Sequence, residues 1–352
     1  MKPPQCELRV SVVTDTSLAA YTTLRLGGHA GTVTNAVHTD EAVAAVRKAT
    51  AEGRPLLVLA GGSNVVIGDS GFDGEVLLLR DRGVEVVGED ASGVLVRVSA
   101  GEPWDDFVAY AVANGWSGVE CLSGIPGAAG STPIQNVGAY GQEVAHTIEA
   151  VHAYDRIADE TRVMSPADCG FGYRSSVFKH DDRHLVTAVD FRLARSAESA
   201  PIRYAELART LGGSAGDRVP LRQARDTVLK LRAGKGMVLD PEDRDTWSVG
   251  SFFTNPVVPA EFFATLGEMP HWPGADGTVK IPAAWLIERS GFPKGYAGDG
   301  VAISGKHTLA LTNRGDGSTA ALLDLARTIR DGVRARFGVE LHPEPVLINC
   351  AL

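Results

Sequence analysis

Cysteine is scarce: four in 352 residues, Cys6, Cys121, Cys169 and Cys350, scattered with no Cys-x-x-Cys pair. That spacing argues against both a disulfide framework and a zinc cluster, and the four read as reduced, structural thiols. Long apolar runs are lacking too. The longest are short pieces such as Leu56 to Ala60 and Val76 to Leu79, far below the ~18 residues of a membrane span, so no membrane insertion is expected. Positive charge is not in excess either: 34 Lys and Arg stand against 43 Asp and Glu, net −9, with no run of five like charges. Non-specific binding to nucleic acid is therefore not expected. Met1 to Val10 carries two prolines and Glu7 where a secretory leader would need an apolar run, and the expected location is the cytoplasm. No repeat at a period of ~20 to 50 residues occurs, which removes solenoids and propellers.

What is plentiful is glycine. Gly 40 and Pro 18 make up about a sixth of the chain, more than the usual ~12% but well short of the ~25–30% of low-complexity disorder. A length of 352 residues suggests two compact units, or three small ones. The order of patterns is α+β. Gly31 to Val37 reads as a strand, Asp40 as the cap of a helix to about Glu52, and Leu56 to Ala60 as a second strand, together one βαβ unit. Strands are expected at Val76 to Leu79, Val84 to Val87 and Val94 to Ser99. A helix then begins with Pro103 at its first position and stops near Asn114-Gly115. Ile148 to Ala153 and His184 to Leu193 read as further strands. The polar loop Ala194 to Pro201 reads as a domain boundary, followed by helices at Leu221 to Ala233, Ala283 to Ser290 and Ser318 to Arg336. Two short apolar strands, Val339 to Leu341 and Val346 to Asn349, close the chain, and a terminus of that composition is expected to dock on something.

Two glycine-rich segments suggest ligand chemistry. Gly61-Gly62-Ser63-Asn64 directly follows the apolar strand, and paired glycines let backbone amides approach an anion closely. The bland reading is a strand-ending turn. Ser123 to Gly141 holds glycines at 124, 127, 130, 138 and 141 among hydroxyl and amide side chains. Its backbone could donate to a pyrophosphate, with Gln135 and Asn136 meeting the edges of a heteroaromatic ring. It does not have the Gly-x-Gly-x-x-Gly spacing of a dinucleotide fold.

These two segments together resemble the FAD-binding half of the UDP-N-acetylenolpyruvoylglucosamine reductase family, flavoenzymes of peptidoglycan precursor synthesis. Three later segments resemble the same family in the same order: Phe171 to Lys179, Gly250-Ser251-Phe252-Phe253-Thr254-Asn255-Pro256, and Pro343-Glu344. The resemblance spans about residues 20 to 350. It implies an α+β fold: a two-lobed FAD-binding region of the PCMH/vanillyl-alcohol-oxidase type, over 1–80 and 81–200, plus a C-terminal α+β substrate-binding domain over 201–335. A terminal strand, 336–352, would return to the active site. The implied activity is NADPH-dependent reduction of UDP-N-acetylglucosamine enolpyruvate to UDP-N-acetylmuramate, by a monomer acting on small molecules and requiring no metal.

The chemistry implied has three parts. Hydride reaches one alkene carbon, a proton reaches the other, and negative charge spreads onto the substrate carboxylate, so a cation, an acid and a polar stabiliser are needed. By motif, Arg174 would hold and polarise the carboxylate, Ser251 would be the acid, and Glu344, between Pro343 and Pro345, would stabilise the enolic intermediate. A serine can act because the carbon it protonates is strongly basic. The cofactor would rest on Gly61, Gly62, Ser63, Asn64, Gly124, Ile125, Pro126, Gly127, Gly130, Ser131, Gln135, Asn136, Gly138 and Ala139. Tyr204 resembles the substrate-covering tyrosine of the longer subtype, and Arg232, Lys235 and Asn255 would meet the diphosphate and uridine. Where some flavin oxidases carry a flavin-tethering histidine this chain has Ser63, which implies non-covalent FAD. Ser304 and His307 stand where a histidine and a glutamine are often found in the family.

Three further patterns invite other readings. Gly315 to Ala320 fits a relaxed dinucleotide fingerprint, but only 32 residues follow it, so it reads as a turn with Ser318 capping a helix. His180 and His184 flank carboxylates yet lie in a loop signal, not a metal-binding helix. Trp285 sits at helical spacing and reads as core. Two other activities remain open from sequence: a sugar or alcohol oxidase sharing the FAD lobes, and a non-catalytic nucleotide-sugar binding protein. The first would need a base and not Ser251, Arg174 and Glu344 together; the second would bind without NADPH turnover.

Overall fold

Alternating and continuous apolar runs resolve into antiparallel and parallel sheet. A computed structural model describes residues 11–352 apart from Asp276. Met1 to Val10, including Cys6, lies outside the described residues, so the expectations for a leader and for that thiol are not addressed. Two compact units emerge. The first holds the described residues up to Thr16, Ala30–Gly61 and Phe72–Ala233; the second holds Ser17–His29, Gly62–Gly71 and Gly234–Leu352. These units cut across the four-part division expected from the sequence.

In the first unit, strand His29–Ala36, helix α1 (Thr39–Ala51) and strand Leu56–Leu59 form the expected βαβ unit, with Phe72–Leu79 inserted in parallel between its strands. Val76, Leu77 and Leu78 are fully buried, as a parallel strand covered on both faces requires. Asp40 is not the cap of α1. It lies in the first turn, while Glu41 reaches back and accepts the N–H groups of Val37 (2.8 Å) and His38 (3.2 Å).

The remaining strands of this unit form an antiparallel sheet in the order Glu160–Met164, Ile148–Asp155, His184–Arg195, Gly93–Ser99, Val84–Asp90. Helix α2 (Trp104–Ala113) lays Trp104, Phe107, Val108 and Ala111 on Val94, Val96, Val98 and Phe191. Trp104, Phe107 and Phe191 form an aromatic trio with centroids 5.2–5.6 Å apart. Pro103 is the cap residue rather than the first helical one, and α2 ends as expected at Asn114, with Gly115 left-handed at φ 70°.

Short helix α3 (Pro166–Cys169) starts at Ser165, whose hydroxyl accepts the Asp168 N–H. Beyond the polar loop, α4 (Ala205–Thr210) and α5 (Leu221–Gly234) stay with this unit up to Ala233. Their apolar faces explain why: Leu207, Ala208 and Val228 bury against Cys121 and Ile202. The polar composition of residues 194–201 marks a surface loop and not the edge of a compact unit.

The second unit is built on antiparallel strands Ser248–Ser251, Ala310–Asn313 and Val301–Ile303. Helices α6 (Ala260–Phe263), α7 (Ala283–Arg289) and α8 (Thr319–Phe337) surround them. On α8, Leu322, Ala326, Ile329 and Val333 recur at helical spacing and pack with Leu286 and Ile287 of α7 and with Ile303 and Leu311. Val339 to Leu341 is not a strand; Val339 and Leu341 are buried in this core. The closing strand Val346–Ile348 docks in parallel on Val65–Ile67.

Candidate active site

The first unit gathers the longer glycine-rich segment. Gly124 and Gly127 are left-handed, at φ 72° and 122°, and the first turns of α2 act as a mould for this backbone. The Trp104 indole donates to the Leu122 carbonyl (3.0 Å), the Gly124 N–H donates to Asp105 Oδ1 (2.6 Å), and the Trp104 N–H donates to the Gly127 carbonyl (3.0 Å). A Cβ on Gly61 would lie 2.5 Å from Gly127 Cα, so the two glycine turns meet backbone to backbone. Gly130 donates to the Ala100 carbonyl at 2.9 Å. Ile125, Pro126, Ser131 and Gln135 are half-buried along the same loop.

Asn136 is placed otherwise than a ring-binding amide requires. Its residue is left-handed (φ 45°) and its side chain is committed within the unit: Nδ2 donates to Glu143 Oε2 (2.9 Å) and the Gly172 carbonyl (3.1 Å), and Oδ1 accepts the Ala145 N–H (3.1 Å). These bonds shape the loop. Gly138 and Ala139 pair with Gln142 and Glu143 in a short hairpin. Arg174, also left-handed at φ 53°, donates from Nη2 to the Gly138 carbonyl (2.8 Å) and lies 5.5 Å from the Tyr173 ring.

Tyr204 precedes α4 with 43% of its surface exposed, its ring edge-on to Tyr140 at 5.3 Å. Fully buried Glu120 ties the neighbouring segments together, accepting the N–H groups of Gly118 and Ala200 (both 2.6 Å) and Gln142 Nε2 (3.0 Å). Arg232 sits near the end of α5. Burial lowers its guanidinium to about 10, opposed by Tyr140 and Asp105 nearby.

The second unit gathers Gly62, Asn64, Ser251 and Glu344. Gly62 is left-handed (φ 58°), and a Cβ there would lie 1.9 Å from the Tyr21 carbonyl oxygen. Thr23 links this turn to the central sheet: its N–H donates to the Gly62 carbonyl (3.1 Å) and its hydroxyl to the Ser248 carbonyl (2.7 Å). The strand from Ser248 to Ser251 shifts register against its partner, with Gly250 at φ 77° in the irregularity, which re-aims the half-buried Ser251. Phe252 and Phe253 anchor the following residues in the core. Glu344 donates its N–H to the Phe252 carbonyl (2.8 Å), Thr254 donates to the His342 carbonyl (3.1 Å), and Val346 donates to the Asn64 carbonyl (3.0 Å).

Ser63 and Lys235 are half-buried. Asn255 has a helix to hold: its Oδ1 accepts the Ala283 N–H at 2.9 Å, capping α7. Ser304 is fully buried, its hydroxyl accepting the N–H groups of Lys306 (3.0 Å) and His307 (3.3 Å), so it shapes a turn. The glycine turn at 315–317 opens α8, where Ser318 accepts the Ala321 N–H and Asp69 accepts those of Thr319 and Ala320, both at 2.8 Å. A carboxylate from the chain itself thus occupies that helix N-terminus. His184 opens a strand with its ring edge-on to Phe178, and Trp285 packs against the core beside Phe337. Among the described residues, no three His, Cys, Asp or Glu side chains are grouped to hold a metal ion, and Cys121, Cys169 and Cys350 are free. Burial raises Cys169 to about 11 and Cys121 further still, so neither is a poised nucleophile.

Sequence reasoning did not single out Thr23, Asp105, Glu120 or Asp69. Asp105 carried a signal as an acid in the first turn of a helix; Thr23 and Asp69 act through residues far away in the chain, and Glu120 joins nearby Gly118 to distant Gln142 and Ala200.

Comparison with known proteins agrees with this geometry. Residues 31–163 match an FAD binding domain, which defines a flavin-binding protein of the class its glycine loops suggest. Residues 240–348 match the UDP-N-acetylenolpyruvoylglucosamine reductase C-terminal domain. A UDP-N-acetylenolpyruvoylglucosamine reductase of Salinispora arenicola is 61% identical, covering 99% of both chains; one of Thermobifida fusca is 54% identical over 98% of this chain and 100% of its own. The crystal structure of UDP-N-acetylenolpyruvylglucosamine reductase from Thermus caldophilus superposes with a TM-score of 0.65 at 26% identity, covering 97% of this chain and 99% of that one. The chain belongs to the UDP-N-acetylenolpyruvoylglucosamine reductase family. Its fold is the α+β combination of an FAD-binding region with that family's C-terminal domain. Among the described residues, no helix is long and apolar enough to cross a membrane.

Proposed function

We propose that this chain reduces UDP-N-acetylglucosamine enolpyruvate to UDP-N-acetylmuramate for peptidoglycan synthesis, as a cytoplasmic monomer with non-covalent FAD and NADPH as reductant. The observation that carries the reading is the joining of the Ser251 strand to the Glu344 segment through the Glu344 N–H and the Phe252 carbonyl, at 2.8 Å. That contact places two of the three expected reaction residues on adjoining backbone, with the Asn64 turn tied to the same segment through Val346.

The glycine turns fit a pyrophosphate-bearing cofactor. Gly61 and Gly62 pack so closely on the backbone of Gly127 and Tyr21 that a Cβ would clash, which keeps the turn tight, and Ser63, Asn64, Ser131 and Gln135 add hydroxyl and amide donors. Gly124, Ile125, Pro126, Gly127, Gly130, Gly138 and Ala139 supply further backbone, and Asn136 shapes it. Bound FAD supplies the hydride carrier between nicotinamide and alkene.

The chain's own residues do the rest. Arg174 holds the enolpyruvyl carboxylate with its planar fork and draws charge toward it. Ser251 Oγ delivers the proton to the carbon that becomes carbanion-like. Glu344 stabilises the enolic form by hydrogen bonding, its backbone held extended by Pro343 and Pro345. Arg232 and Lys235 meet the diphosphate, Tyr204 covers it, and Asn255, whose Oδ1 holds the Ala283 N–H, offers its Nδ2 to the uridine.

The test is product analysis. Purified holoprotein with NADPH and UDP-N-acetylglucosamine enolpyruvate should yield a product heavier by two hydrogens in mass spectrometry, at least one of them from solvent when the reaction is run in D2O. Unchanged substrate, with NADPH consumed only in air, would refute the reading.

A further inference from the structure

Asp105 has two tasks within the first unit, and they point in different directions. Its Oδ1 accepts the Gly124 N–H at 2.6 Å, at the start of the glycine-rich loop. The same carboxylate takes a bidentate pair from Arg225 of α5, Nη1 to Oδ1 at 2.6 Å and Nη2 to Oδ2 at 2.8 Å. An acid in the first turn of α2 would be favoured there by the helix dipole alone, but a dipole does not require both oxygens to be engaged by other segments. Burial acts to raise this carboxyl, yet Arg225 and Gly124 outweigh it and hold it below its ordinary range.

The clamp falls at a particular place on α5. Arg225 and Arg232 are seven residues apart, about two helical turns, so they share a face of the helix. Arg232 also acts electrostatically on Asp105, and Tyr140 lies near Arg232. A bidentate guanidinium–carboxylate pair fixes angle as well as distance, which a single hydrogen bond does not.

Building on the function proposed above, we propose that Asp105 is a positioning residue for the reduction. Its carboxylate locks α5 to the glycine-rich loop, setting where Arg232 stands relative to that loop's backbone. Asp105 touches neither substrate nor cofactor in this account. Its effect is on substrate affinity, transmitted through Arg225.

The variants Asp105→Asn, Arg225→Met and the double substitution separate this from simple stabilisation. Asn keeps an acceptor for the Gly124 N–H and loses the anionic fork; Met keeps the bulk of Arg225 without charge. On oxidised holoprotein, the dissociation constant for UDP-N-acetylglucosamine enolpyruvate, read by perturbation of the flavin spectrum, should rise about tenfold in each single variant and by no more in the double one. FAD affinity, read by fluorescence on the apoprotein, should change by less than about threefold in Arg225→Met. Arg225→Lys, which restores charge without the fork, should recover only part of the loss and serves if either other variant does not fold. An unchanged substrate dissociation constant in Arg225→Met, or additive effects in the double variant, would overturn the proposal. Failure of the wild type to bind or reduce this substrate would instead overturn the function on which it rests.

Discussion

Glu344 donates its backbone N–H to the carbonyl oxygen of Phe252, 2.8 Å away, and so ties the backbone of a proline-flanked glutamate to the residue that follows Ser251. The glycine before that serine lets the strand shift register, and two buried phenylalanines after it hold the new direction. Ser251→Ala removes the proposed proton donor and leaves this backbone in place. It should lower enolpyruvate reduction by roughly 10²- to 10⁴-fold while leaving flavin reduction by NADPH within about twofold of wild type. Equal loss in both half-reactions would remove Ser251 from the proton-transfer role.

Gly62 is conformationally demanding. Its φ is 58°, and a Cβ there would meet the Tyr21 carbonyl oxygen at 1.9 Å, a clash with backbone rather than with a movable side chain. Gly62→Ala should therefore cost about 2 kcal/mol or more and lower FAD content in the purified protein. Gly53, also left-handed but with open space around it, makes the control: Ala there should cost only about 1 kcal/mol and leave FAD content unchanged. Similar FAD loss in both variants would contradict a local cradle at Gly62.

The first unit also carries an acid-sensitive contact. Burial alone would raise the Asp190 carboxyl, but the bidentate Arg97 fork and His152 Nε2 at 2.9 Å outweigh it and bring it down to about 2. A depressed carboxyl stabilises the fold above its ordinary value of 3.8, and that contribution is lost as pH falls toward 2. Asp190→Asn should therefore be less stable than wild type at pH 7, with the difference shrinking between about pH 4 and pH 2 in denaturant titrations. A difference that stays constant across that range would show that the effect is steric.

Patterns carried by local apolar spacing were legible in the sequence. Helix α8 follows from Leu322, Ala326, Ile329 and Val333 behind the Ser318 cap, and the Leu56–Leu59 strand from its unbroken apolar run. Three-residue Val65–Ile67 is too short to show a period, and Glu160–Met164 is a polar edge strand whose only support is its neighbour Ile148–Asp155. The grouping of α5 with the first unit depends on Cys121, some hundred positions earlier than Val228 with which it packs. At the site, residue types were legible and their partners were not. An asparagine in a glycine-rich loop suggests a ligand amide, but the left-handed backbone of Asn136 turns its amide toward Glu143, Gly172 and Ala145. Asn255 likewise reaches Ala283 only because the chain brings α7 back beside it. The resemblance supplied Arg174, Ser251 and Glu344; no spacing rule would have joined a strand near 251 to a segment near 344.

Electrons from NADPH should reach an enolpyruvyl nucleotide sugar through this protein's flavin. Anaerobic stopped-flow absorbance can follow that transfer: the holoprotein is reduced with one equivalent of NADPH and then mixed with UDP-N-acetylglucosamine enolpyruvate in the absence of oxygen. Rapid return of the oxidised flavin spectrum with one equivalent of UDP-N-acetylmuramate is the predicted result. A flavin that stays reduced until air is admitted would contradict the reductase account while leaving the FAD-binding fold intact.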